Sequence, residues 1–187
     1  MKQLLLLMCL CFSIASINTA CHKIKANPAE PIDLTPKLPQ ATHIGANTFG
    51  CYINGALFIA QSNNYNKVIP IYCSYNKISE NELRIQGSRL NDSVRDNVRF
   101  IAFIDKGVGA YEMDVTGDNQ DGYNIYTTDS IWCFDYNFSL TEKGMLDITF
   151  LDTVDRIISG NFQMQLYNED CPLKIVSITD GRFDLKY

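Results

Sequence analysis

Histidine is nearly missing from this chain: His22 and His43 are the two among 187 residues. A Ser-His-Asp or Cys-His arrangement would therefore have to use His43, and no G-x-S-x-G frames any serine. Paired C-x-x-C spacing is also missing, which argues against a zinc site. There is no excess of positive charge. Sixteen Lys and Arg stand against twenty-one Asp and Glu, a net charge of −5, and this argues against nucleic acid or an anionic surface as the main partner. No apolar run reaches the roughly twenty residues of a spanning helix. No stretch of ten or more residues carries a helical stripe of apolar positions. Proline is scarce beyond the start of the chain, where Pro28, Pro31, Pro36 and Pro39 are four of the six. Disorder is excluded as the default by 46% hydrophobic and 11% aromatic content.

What is present starts with an export segment. Met1-Lys2 is a short positive region, and residues 4–17 are mostly apolar. That length suits a secretory signal. It closes on Asn18-Thr19-Ala20-Cys21, a small residue just before a cysteine, the mark of a bacterial lipoprotein signal. The reading is a signal peptide over 1–20 and acylation at Cys21. Each buried methylene contributes about 0.8 kcal/mol, so a multiply acylated Cys21 holds a protein on a membrane without a spanning helix. Residues 21–37 then form a stalk that its prolines keep extended. Residues 38–187 remain as one β domain, long enough to bury a sizeable core.

The opening of that domain, residues 38–51, reads LPQATHIGANTFGC, and its close, residues 178–187, reads ITDGRFDLKY. Together they resemble an uncharacterised family of small Bacteroidota lipoproteins with an LP-x-AT-x-x-GANTFGC opening and an ITDGRFDLKY-like final strand. Residues 157–162 resemble that family's IISGTF segment, with Asn161 where Thr is usual. The resemblance implies an all-β domain on the outer membrane and brings no activity with it. The start His22-Lys23-Ile24-Lys25 is basic, where surface-displayed relatives often carry acidic residues, so periplasmic facing is favoured over the cell surface.

Period-two alternation dominates the domain. Leu83 and Ile85 alternate with polar neighbours, as do Tyr111, Met113 and Val115, then Leu146, Ile148 and Phe150, then Ile158, Phe162, Met164 and Leu166. Each predicts a strand with one dry and one wet face, the antiparallel pattern. Residues 98–104 are apolar on both faces and are placed centrally. Residues 68–75 point Ile69, Ile71, Cys73 and Tyr75 inward, and Pro70 puts this strand at an edge or a bulge. Asn54-Gly55 is the strongest hairpin signal. Residues 88–97 are polar and read as a loop or a single helical turn. Residues 174–187 read as one long strand with a glycine bulge, paired antiparallel to residues 157–166, with Phe162 near Ile178 and Met164 near Val176. Nine or ten strands are too many for one open sheet of this size. The expected fold is all-β, an antiparallel sandwich or a closed barrel, preceded by a signal helix and an extended stalk.

Candidate chemistry is sparse. Cys51, Cys73, Cys133 and Cys171 remain after export, an even count that admits three disulfide pairings in an oxidising compartment, or buried thiols. Asp114, Asp118, Asp121 and Asp129 fail the calcium-loop spacing and read as polar turn residues. Asp152 and Asp155 have nothing to fix a glycosidase separation. His43 reads as a loop residue satisfying backbone groups. Aromatics are the least bland feature. Tyr123, Tyr126, Trp132, Phe134 and Tyr136 cluster in fifteen residues, and Trp132, Phe134 and Tyr136 share one strand face. An exposed face there is a platform for sugar rings or a protein partner; a buried one fills the core. The reading is a non-catalytic, lipid-anchored envelope β domain that needs no cofactor or metal. Its partners are the membrane through the anchor and a glycan or another envelope protein. The rivals are a carbohydrate-binding lipoprotein and a lipocalin-like carrier, the latter requiring an empty apolar lumen.

Overall fold

The computed structural model describes residues 36–187, apart from 63–69, 79–80, 91–93, 114–121, 128–132, 134, 138–143, 169 and 172. These residues belong to one compact unit, Pro36–Tyr187. Twelve strands run through it: β1 Thr48–Ile53, β2 Ala56–Ile59, β3 Gln61–Ser62, β4 Ile71–Asn76, β5 Glu82–Leu90, β6 Val94–Phe103, β7 Gly109–Met113, β8 Gly122–Thr127, β9 Asp135–Asn137, β10 Gly144–Asp152, β11 Ile157–Tyr167 and β12 Ile175–Lys186. The described residues contain no helix. Three of the twelve strands span four residues or fewer, and these account for the excess over the nine or ten expected.

The pairings form a sandwich. One layer runs β4-β5-β6-β8, and the other runs β2-β1-β12-β11-β10-β7. The layers meet at two thin corners. At one, β9 touches β11 through the single pair Tyr167–Asn137; at the other, β3 meets β5 in parallel over two residues. Such short ladders leave a sandwich with linked corners, not a closed barrel.

Both inner faces follow from the period-two pattern. Leu83, Ile85, Val98, Phe100 and Ala102 from the first layer meet Phe49, Phe162, Met164, Ile178 and Phe183 from the second, all buried. Phe162 sits at the centre, with its ring centroid 5.0 Å from Phe49 and 5.1 Å from Phe100. Phe49 lies directly against Gly87, where any side chain would collide with its ring. These rings occupy the space in which a lipocalin-like carrier would need an empty lumen.

Several local readings hold. Asn54 and Gly55 have φ of 49° and 79°, as a type I′ turn requires, and join β1 to β2. β4 pairs with β5 alone among the described strands, which is the edge position that Pro70 predicts. β6 is central, between β5 and β8, although Phe103 is 45% exposed. β12 is one long strand with a bulge.

Three expectations are corrected. Residues 88–90 and 94–97 are strand: they extend β5 and β6, with Ser88, Arg89 and Leu90 opposite Asn97, Asp96 and Arg95, and residues 91–93 lie outside the described residues. The reason is an inward ion pair. Asp96 is fully buried, and Arg89 reaches it through Nε at 3.1 Å and Nη2 at 2.6 Å while Nη1 donates to the Leu57 carbonyl at 3.1 Å. Polar composition disguised two more inward positions. The second correction concerns register. From the connector onward, Tyr167 pairs with Ile175 and Met164 with Ile178, two residues from the expected register, and past the β12 bulge one further residue is inserted, so Phe162 pairs with Gly181. The third concerns Phe150. A bulge in β10 after Ile148 flips the parity, so Leu151 turns toward the core and Phe150 leaves it to stack on His43 at 5.0 Å.

Candidate functional site

The residues singled out from sequence fall in different places. Cys21, Trp132 and Phe134 lie outside the described residues, as do Asp114, Asp118, Asp121 and Asp129. Tyr123 and Tyr126 occupy β8, at register positions opposite Val98 and Arg95. Tyr136, on β9, is 7% exposed and belongs to the core, where burial raises its hydroxyl pKa. Cys133 and Cys171 form a disulfide with Cα atoms 6.0 Å apart. It closes 38 residues of chain, worth about 3–4 kcal/mol in the loop-entropy account. Cys51 and Cys73 are free thiols. Burial pushes both up to about 12, so they behave as small apolar side chains. His43 is exposed and bonds no backbone group among the described residues; its Nε2 lies 3.3 Å from the Thr149 hydroxyl. Asp152 accepts from the Val154 and Asp155 amides at 2.7 and 3.0 Å, which makes it the cap of the β10–β11 turn.

The motif residues at the two ends of the domain converge on one carboxylate. Asp184 of β12 lies on the outer face of its layer, yet it is 1% exposed because residues 41–46 cover it. It accepts from the Thr42 hydroxyl at 2.5 Å and the Ser159 hydroxyl at 2.8 Å. It also accepts from the amides of Ile44, Gly45 and Ala46 at 3.2, 2.9 and 3.1 Å. Burial pushes its pKa up, but the hydrogen bonds from Thr42, Ala46, Ser159 and Gly45 outweigh it and hold the carboxyl at about 2. Gly45 takes a φ of 67°, and a side chain there would strike Lys186. Asn47 adds an acceptor for the Lys186 amide at 3.0 Å. Every acceptor position of Asp184 is thus engaged from within, which makes it a clasp and not a reacting group.

A groove of about 310 Å³ opens farther along the same outer face. Its floor is two cross-strand rows. In one, Ala110 of β7, Asp147 of β10, Asn161 of β11 and Arg182 of β12 stand side by side. In the other, Met145 stands beside Gln163. The β12 bulge sets Thr179 and Asp180 against the single residue Gln163. Asp180, the inserted residue, is held at φ 52° and lines the groove. A bulge commonly re-aims a side chain in this way, and a non-glycine residue at positive φ stores strain of about 1 kcal/mol. Within the described residues, the side-chain polar atoms of Asp147, Asn161, Gln163 and Asp180 have no protein hydrogen-bond partner. Arg182 makes one long contact, Nη1 to the Pro39 carbonyl at 3.5 Å.

In the sequence, Asp147 and Gln163 are visible only as wet-face positions, whereas Asn161 and residues 180–182 fall in the segments that carry the family resemblance, which gives them no role. The chain matches no protein-family model, no curated protein and no solved structure.

Proposed function

We propose that this protein is a lipid-anchored β domain of the cell envelope that acts by binding, with the outer-face groove as its contact surface. The carrying observation is the contrast in polar satisfaction. Buried polar groups such as Asp184 and Asp96 are bonded internally, whereas the groove keeps four polar side chains open on a rigid sheet. Sheet-borne groups hold their geometry better than loop-borne ones, which suits recognition. The anchor rests on the apolar run 4–17 and on Cys21 after Ala20. The Cys133–Cys171 bridge supports residence in an oxidising compartment. The outer membrane, facing the periplasm, is the location in this reading.

The anchor is tested by intact-mass analysis of the N-terminus and by fractionation. The expected result is a mature chain that starts at an acylated Cys21 and sediments with membranes, with Cys21→Ala recovered in the soluble fraction. An unmodified Cys21 on a soluble native chain would overturn it.

A further inference from the structure

We infer that the groove on the β7-β10-β11-β12 face takes a neutral polyhydroxylated ligand, a saccharide unit. This rests on the reading of the groove as the contact surface and adds the class of ligand. The argument is one of matching donors and acceptors. Along the first row, Asp147 offers only acceptors, Asn161 offers both kinds, and Arg182 offers only donors. Neighbouring strands lie about 4.8 Å apart, so these groups form a graded line at that spacing. Gln163 and Asp180 repeat the pattern of amide beside carboxylate in the next row. Vicinal hydroxyls each donate once and accept twice, so a sugar edge can satisfy a carboxylate and its neighbouring amide together.

Other ligand classes fit less well. An inorganic anion would meet two carboxylates, Asp147 and Asp180, for one guanidinium, Arg182. An apolar ligand would leave unsatisfied each of these exposed polar side chains that it covered, at about 1–3 kcal/mol for a group taken fully out of water. A cation would share the row with Arg182. The apolar contribution comes from Met145, 42% exposed, and from Ala110, which suits the C–H face of a single ring. The volume of about 310 Å³ is at the small end of ligand pockets, enough for a short saccharide. The Phe162 ring packs against Gly181 and toward Phe49 and Phe100, so it offers no stacking surface in the groove. Affinity is then weak, with Kd on the order of 1 mM.

The test uses the full mature chain in a zwitterionic detergent, since glycosidic detergents would compete. Backbone amide shifts are followed while neutral mono- and disaccharides, N-acetylhexosamine oligomers and an intact purified polysaccharide are added separately. Saturable shifts centred on residues 161–163 and 180–182 are expected, weakened at least tenfold by Asp147→Ala and by Asn161→Ala. The turn variant Ile78→Ser, 98% exposed and away from the groove, should bind as the parent does. A response to soluble sugars assigns the groove to free saccharides; a response to the polysaccharide alone assigns it to a glycan surface. No groove-centred shift with any saccharide, or binding that survives both substitutions, overturns the inference. Groove-centred shifts with a non-saccharide envelope component, and none with any saccharide, would overturn the saccharide class while leaving the groove as the contact surface.

Discussion

Asp180 and Asp184 lie four residues apart on the same strand and meet opposite fates. Asp184 is sealed beneath residues 41–46, and five donors converge on its carboxylate. Asp180 sits on a bulge at positive φ, exposed at the groove, with no protein partner among the described residues. The first is bound into the fold and the second is left available. Arg182 lies between them, half-buried, and its contact with the Pro39 carbonyl marks where the covering segment ends and the open face begins. The difference teaches that polarity alone says little about function in a sheet protein. What distinguishes a clasp from a contact surface is whether the fold itself satisfies the group.

The largest expected effect is at the clasp. Asp184→Ala removes the common acceptor of three amides and two hydroxyls, and should lower unfolding free energy by about 2–4 kcal/mol in urea titration. A loss below 1 kcal/mol would show that water replaces the carboxylate readily and that the clasp is not structural.

Next comes pH. The Asp184 carboxyl sits at about 2 against an ordinary 3.8. Because the folded-state value is depressed, its contribution is full above the unfolded-state value and fades as pH falls through about 2. Conversion of that shift gives about 2 kcal/mol. Glu82, whose pKa is lowered by its hydrogen bond from Arg84, titrates in the same direction, so the useful quantity is the difference between parent and Asp184→Asn. The parent should lose that much more stability than the variant between pH 5 and pH 2. Parallel acid limbs would contradict the assignment.

Smaller and opposite in sign is the effect at the bulge. Asp180→Gly relieves the positive-φ strain and should gain about 0.5–1 kcal/mol while weakening saccharide binding. A stability loss would mean that Asp180 is held by the fold after all. Smallest are Asp147→Ala and Asn161→Ala, expected to leave stability within about 0.5 kcal/mol, because exposed side chains without partners contribute little. A loss of 2 kcal/mol at either position would move it from the open region to the sealed one.

Much of the fold is legible in the sequence, and particular residues show why the rest is not. The alternation at Leu83 and Ile85, or at Phe162, Met164 and Leu166, is written in adjacent residues, so the dry faces can be read directly. The Asn54-Gly55 turn is equally local. Arg89 and Asp96 hid the far end of the β5–β6 ladder, because an inward charge is legible only beside its partner. The outward turn of Phe150 is not legible, because a bulge at Thr149 shifts parity without leaving a sequence signal. Four cysteines admit three pairings, and the choice of Cys133 with Cys171 depends on where β9 meets the connector before β12. The groove was hidden for the same reason. Its members come from β7, β10, β11 and β12, and each looks like an ordinary wet-face residue until the strands are placed side by side.

The sequence alone determined the all-β class, the faces of most strands, the first hairpin and the long final strand, because those depend on spacings of two residues and on the φ preferences of single positions. Tertiary structure decided the layer order, the disulfide, the burial of Asp184 by a segment some 140 residues earlier and the adjacency of Asp147, Asn161 and Arg182. Strand pairing at that range is chosen by the packing of whole faces, and no local pattern encodes it.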